Sequence, residues 1–287
     1  MEIVLALLSA ALFALGSVLQ QKAGTEGSSL QGSGSLLLRM ARRPLWVFGI
    51  GIDGLGFVSQ AVALGVGRLD VVQPLMVTSV VFALPFGAWL GGTRVRRREV
   101  IAATVVVAGL AAFVALANPA GGRDDAPFGA WALAGAGCAA VCVPLALLAP
   151  RSPGARRAAY LGVATGILFA LSAALTKAVV NDLSDTPWTV LADWQLYGLI
   201  AVGYISMTLN QLSLDAGALA ATMATSTAFD PIASVILGLT LFLETIHAGP
   251  VQATVIVLAL AAALGAMIVL AREQSSSAPV ATAAASP

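Results

Sequence analysis

The chain reads as an all-α, polytopic membrane helix bundle, and three features predict it. Hydrophobic residues make up 59% of the 287 residues and charged residues only 10%, against about 25% charged in an ordinary soluble domain. Apolar runs of about 18 to 25 residues, long enough to cross a ~30 Å hydrocarbon core as helix, recur from end to end. None of these runs alternates as a barrel strand would, and backbone groups left unpaired in lipid are too costly for any other spanning structure.

Nine spans follow in order. The first, Ile3–Gln21, begins behind Glu2, where a secretory signal would carry lysine or arginine, and its apolar run is too long for one; it stays as a helix. The second, Leu45–Gly67, opens at RRPLW and is rich in glycine around Asp53, which lets another helix approach closely. The third, Val71–Gly91, carries Gln73 and Pro74. The fourth, Val100–Ala117, follows the arginine cluster at 94–98. The fifth, Phe128–Ala149, follows an expected turn at GRDDAP and holds both cysteines, Cys138 and Cys142. Four residues apart, they share one helix face and read as small packing residues. The sixth, Ala158–Val180, ends past Lys177; the seventh, Leu196–Leu214, carries Asn210 and Gln211; the eighth, Gly217–Leu243, carries Asp230 and Pro231. The ninth, Val251–Ala271, precedes a small, polar, proline-containing tail over 273–287 that has nothing to pack and is expected to be disordered.

Twelve of the fifteen lysines and arginines fall in loops on one side of this arrangement, and Arg68, Arg123 and Lys177 on the other. The positive-inside rule then puts the N-terminus outside and the C-terminus in the cytosol, in the plasma membrane. Net charge is near +1, so nothing points to nucleic acid as a partner. The partners expected are the lipid bilayer and a small-molecule or cation substrate; no cofactor is expected, and the oligomeric state is not legible.

The chain also repeats. Leu12–Leu15 returns as Leu168–Leu171, both LFAL. ATVVV at Ala103–Val107 with Leu110-Ala111-Ala112 returns as ATVIV at Ala253–Val257 with Leu260-Ala261-Ala262, and Ser59-Gln60 corresponds to Asn210-Gln211. Offsets of 150 to 156 residues therefore link spans one, two and four to spans six, seven and nine. Residues 1–150 form one repeat of five spans and residues 151–272 a second of four. With an odd number of spans in the first, the second is inverted, the arrangement on which alternating access is built.

An ionised aspartate at a helix centre costs roughly 2.5–3.5 kcal/mol on insertion scales, so each one asks for a reason. Asp53 lies about 12 Å into span two and Asp230 about 20 Å into span eight at 1.5 Å per residue. Pro231 removes a backbone hydrogen bond and disfavours helix at Asp230, so span eight is expected to kink or unwind there and to free carbonyls toward a cavity; Pro74 is expected to interrupt span three in the same way. Asp53 and Asp230 are therefore the candidates for a substrate or coupling ion, with Gln60, Gln73, Asn210 and Gln211 as candidate lining groups and Trp46, Phe57, Tyr204 and Phe229 as candidate walls for an organic substrate. No metal set can be named. Lys22 and Lys177 are expected to snorkel at span ends, and Asp70, Asp215 and Glu244 to be solvated there.

From Arg43-Pro44-Leu45-Trp46 to Gln73-Pro74-Leu75, and from Asp230-Pro231 to Glu244, the chain resembles the drug/metabolite transporter superfamily. PIASVILGLTLFLE, with glutamate thirteen residues after proline, is similar to the EamA-type repeat. RRPLW, a glycine-rich span and then VVQPL resemble the NIPA-type magnesium transporters, which are also drawn with nine spans. Arg94, where the second half has Glu244, and the absence of a tenth span depart from the EamA pattern. The resemblance implies a transporter of metabolites, drugs or cations, with a magnesium or other divalent-cation transporter as the alternative. Magnesium keeps several waters and prefers oxygen ligands, which Asp53 and Asp230 could supply. Two membrane aspartates also evoke intramembrane aspartyl proteases, but Gly49-Ile50-Gly51-Ile52-Asp53 is one residue out of step with Gly-x-Gly-Asp and no Pro-Ala-Leu follows. A lone histidine, His247, at a span end excludes a serine triad. An enzyme is not expected, and a non-transporting membrane scaffold is the remaining rival.

Overall fold

A computed structural model describes residues 1–25, 43–91, 95–117, 119–120, 122–185, 187–214, 216, 219–246 and 249–277. It is a helix bundle built of α1 (Glu2–Thr25), α2 (Pro44–Val66), α3 (Leu69–Met76), α4 (Ser79–Gly91), α5 (Arg97–Ala117), α6 (Phe128–Leu148), α7 (Gly154–Asp185), α8 (Trp194–Leu214), α9 (Leu219–Thr240) and α10 (Pro250–Ser277). Two-residue strands, β1 (Pro119–Ala120) and β2 (Thr245–Ile246), pair antiparallel between α5 and α10. Among the described residues, six stretches are long and apolar enough to cross a membrane: Glu2–Gln20, Pro44–Val66, Leu69–Leu90, Phe128–Arg151, Gly154–Asp185 and Pro250–Leu270. The chain is a membrane protein.

Local sequence explains where the rods start and stop. α2 begins at Pro44, whose missing N–H costs nothing in a first turn, behind an extended Arg43. The third expected span is two helices. Pro74 cannot donate to the preceding turn, the backbone tightens to i→i−3 bonds from Val77 to Pro74 and from Thr78 to Leu75, and the Thr78 hydroxyl closes on the Leu75 carbonyl at 2.7 Å. Pro231 behaves differently: α9 runs from Leu219 to Thr240 straight through it, so the unwinding expected there does not occur. α10 also continues to Ser277, past the end expected at Ala271, because Ala-Arg-Glu-Gln are strong helix formers. The rest of the tail, 278–287, lies outside the described residues, as do Arg94 and Asp215.

α7 is the central rod. It is the most buried of the six apolar stretches and packs against α2, α3, α6, α8 and α9. Its inner surface is lined with small residues, among them Gly162, Ala164, Gly166, Ala170, Ala174 and Ala178, all buried. Lipid tails are as apolar as any leucine, so contact between spans depends on close fit, and small side chains provide it. Cys142 on α6 fits here too, buried with its Sγ 3.7 Å from the Ala164 carbonyl oxygen, and Cys138 stands beside it as a second free thiol.

α5 and α10 pack together along one side, antiparallel, continuing from β1 and β2. They touch where the repeated segments face each other: a Cβ added to Gly109 would stand 2.6 Å from the backbone oxygen of Ala259, the residue 150 positions later. At one end of the bundle the starts of α1, α3, α6 and α8 meet the ends of α2, α5, α7 and α9. Glu2 accepts from the Arg68 N–H, Asn181 donates to the Asp124 carbonyl, Gln195 donates to Asp125, and β1 lies on β2.

Candidate functional site

Asp53 lies on α2 against α1. Its Oδ2 accepts from the Gln20 amide, and its Oδ1 is buried with no hydrogen-bond partner among the described residues. Gly16 makes this approach possible, because a Cβ there would strike Oδ1. Asp230 lies on α9 against α7, where Gly166 plays the matching part: a Cβ there would meet the Ser226 carbonyl oxygen at 2.6 Å and the Asp230 nitrogen at 3.0 Å. The Ser234 hydroxyl, one turn on and buried, donates to Asp230 Oδ1 at 3.3 Å. Each aspartate-bearing helix is thus approached through a glycine on its neighbour, Gly16 on α1 and Gly166 on α7.

The other candidates are spread over these pairs of helices. Gln60 is half-buried on α2, Gln73 is buried on α3 where that helix packs against α9, and Asn210 is half-buried on α8; the side chain of Gln211 is outside the described residues. Asp53 and Gln60 thus lie on α2, Asp230 faces α7 from α9, and Gln73 lies on α3 where it packs against α9. No hydrogen bond joins any of these described side chains to another of the set. A cavity of about 380 Å³ opens between the ends of α2 and α7, lined by Val62, Val66, Asp124, Val180, Asn181 and Asp185, and none of the sequence-predicted residues reaches it. Of the aromatics, Tyr204 is 75% exposed and Phe57 49%, as lipid-facing residues are.

Among the described residues, a dense polar cluster sits at the end of the bundle where β1 and β2 pair. Glu244 is 1% exposed, Lys177 4% and Asp70 0%. Lys177 Nζ donates to Glu244 Oε1 at 2.6 Å and lies 4.6 Å from the Phe242 ring centroid. The same carboxylate caps α3: Leu69 N–H donates to Oε1 and Asp70 N–H to Oε2, both at 2.9 Å. The positive end of a half-helix therefore faces a carboxylate delivered from 175 residues away. Arg68 binds Asp70 through Nε at 3.0 Å and Nη2 at 2.8 Å, and reaches the Thr245 carbonyl at 3.1 Å. Arg123 completes the seam, its backbone N–H on the Phe242 carbonyl and its Nε on the Leu241 carbonyl, each at 2.8 Å.

Burial would raise the Glu244 pKa, but the Lys177 ammonium and the two α3 amides outweigh it and hold the group below its ordinary value of 4.5. Burial likewise penalises the Arg68 guanidinium, yet Asp70, Glu244 and Glu2 raise its pKa above the usual. Leu243 supplies the turn that aims Glu244 inward. Its φ is 52°, a left-handed conformation costing roughly 1–2 kcal/mol for a residue with a Cβ, at the helix end where glycine is the common choice.

An uncharacterized protein of Corynebacterium glutamicum is 32% identical to the chain over 242 residues, an alignment covering 83% of each. The chain belongs to that protein's family. No family model and no solved structure matches it.

In this member of the family three expectations are corrected. Lys177 does not snorkel, and Asp70 and Glu244 are not solvated, because each has found a charged partner that offsets the cost of burial. The GRDDAP segment is more than a turn: Arg123 ties it to the end of α9, and Asp125 accepts from the Trp131 indole and the Gln195 amide. A signal for the cluster was present in the topology. In the nine-span arrangement expected from the sequence, Lys177 and Glu244 close spans six and eight, which end on the same side, and each is the sole charge of its sign in its stretch of sequence.

Proposed function

We propose that the chain is a multi-pass membrane transporter of nine spans, moving a small metabolite, drug or cation by alternating access between two inverted halves. The observation that carries this reading is the packing of Gly109 on Ala259. Two-fold-related helices meet at equivalent residues where they cross the axis, and these two stand one repeat length apart on antiparallel helices. The resemblance to drug/metabolite transporters agrees with it. Lysine and arginine placement puts the Glu244 end of the bundle outside the cell.

In this reading Asp53 and Asp230 take up the coupling ion or proton. Asp53 carries a buried oxygen with no donor among the described residues, and a proton or cation arriving there gains an open acceptor. Asp230 is held by one long hydrogen bond from Ser234, loose enough to be given up.

The test is a thermal-shift screen of purified protein against metabolites and divalent cations, followed by flux of the stabilising compound in proteoliposomes. Asp230→Asn and Asp53→Asn are each expected to fold and insert normally and to slow pH- or cation-dependent flux at least tenfold. Wild-type rates with unchanged pH and cation dependence in both variants would remove the coupling assignment. A failure of every compound to move would favour a scaffold.

A further inference from the structure

We propose that the charged cluster around Glu244 is a releasable gate, closed in this structure, that parts along a seam with α3, β1 and Arg123 on one side and the α7–α9 pair with β2 on the other. This rests on the transport reading above and adds to it the device that seals one end.

The pairing pattern is the main reason. Arg68 and Asp70 are two residues apart on one side of the seam, and they hold each other with two hydrogen bonds. Lys177 and Glu244 lie on the other side, from α7 and the end of α9, and hold each other at 2.6 Å. When the seam opens, each side keeps its own ion pair. No charge is stranded, which is the event that makes breaking a buried salt bridge so costly. The described bonds across this seam run from the α3 amides to Glu244, from Arg68 to the Thr245 carbonyl, from Arg123 to the Leu241 and Phe242 carbonyls, from Asn181 to the Asp124 carbonyl, and between β1 and β2. All of these are single hydrogen bonds whose groups water can satisfy.

A permanent seal has no need of this chemistry. Apolar side chains of the same volume are as stable as a buried ion pair or more so, and this end of the bundle already has Phe242, Leu69 and Leu241 around it. The flanking backbone also fits a moving part. α3 is an eight-residue half-helix ending in the Val77–Thr78 interruption, so its start can swing without dragging α4. Gly238 leaves the space into which it seats, since a Cβ there would strike Glu244 Oε2 and crowd the Asp70 backbone nitrogen.

The seam can be locked and released in one protein. Cys138 and Cys142 are replaced by alanine, and Ala120→Cys with Thr245→Cys puts thiols at positions paired in the β1–β2 register. Hydrogen–deuterium exchange of protein in nanodiscs is then followed over 69–76 and 241–246. The gate requires both segments to exchange through one shared opening, at least tenfold slower when the disulfide is formed and restored by reductant, and at least tenfold faster in Glu244→Gln. Exchange at the two segments that proceeds independently, or that ignores both the cross-link and Glu244→Gln, overturns the gate, and does so even if Glu244→Gln fails to fold, because the cross-link arm stands alone. Flux separates the two proposals: transport that continues with the cross-link intact overturns the gate and leaves the transport reading standing. A shared, lockable opening without flux of any compound supports the gate and removes the transport reading.

Discussion

Glu244 and Asp53 are both carboxylates drawn out of bulk water, and the bundle treats them in opposite ways. Glu244 receives an ammonium and two backbone amides, so both of its oxygens are engaged. Asp53 receives one amide, from Gln20, and among the described residues its other oxygen has no donor. A fully satisfied buried charge makes its surroundings rigid and specific, while a half-satisfied one keeps a standing affinity for whatever can complete it. The contrast separates a carboxylate with both oxygens engaged in the closed bundle from one with an acceptor position still open among the described residues.

Removing the partner of the satisfied carboxylate should have the largest effect. Lys177→Met strands Glu244 and is expected to cost about 3–5 kcal/mol of stability in detergent-solubilised protein, whereas Lys177→Met combined with Glu244→Gln should recover at least half of that loss. A single-variant cost below about 1 kcal/mol would mean that the pair contributes only as an exposed one does.

Acid titration should act on the same residue more gently. Because the folded protein holds the Glu244 pKa below 4.5, its contribution is complete above that pH and is lost as pH falls through the lower folded value. Wild type should therefore lose more stability than Glu244→Gln between about pH 5 and pH 3, measured by denaturation midpoints. Parallel losses in the two proteins would show that the titrating group lies elsewhere.

Asp53 should give the smallest change. Asp53→Asn removes a buried charge that has a single amide partner, which can turn to present its oxygen, so stability is expected to move by less than about 1 kcal/mol in either direction. A loss of several kcal/mol would place Asp53 with Glu244 among the structural carboxylates and abolish the contrast.

The fold was legible because length and hydropathy determine spans with little help from context. α2 (Pro44–Val66) and α6 (Phe128–Leu148) begin and end within a residue of where apolar runs bounded by proline and polar residues place them. Asp53 and Asp230 stood out for the same reason, each being a charge in an apolar run. The cluster at Glu244 did not, because its energy comes from pairing across 67 residues to Lys177 and 175 to Leu69, and neither separation leaves a local pattern. Of the two prolines expected to break a span, one does so. Pro74 sits near the start of a span, where an eight-residue half-helix can be capped by Glu244, but Pro231 lies within a long helix held on both sides of it by α7, and packing keeps that helix continuous.

The interruption at Val77–Thr78 turns α3 into a lever. Eight residues at 1.5 Å each make an arm roughly 12 Å long, pivoting at the Thr78 end and loaded at Leu69. A rotation of about 15° at the pivot carries the loaded end roughly 3 Å, as far as the full length of a hydrogen bond. An adjustment at mid-depth too small to unpack a helix is thus magnified, at the far end of the arm, into the difference between a carboxylate that is bonded and one that has been let go.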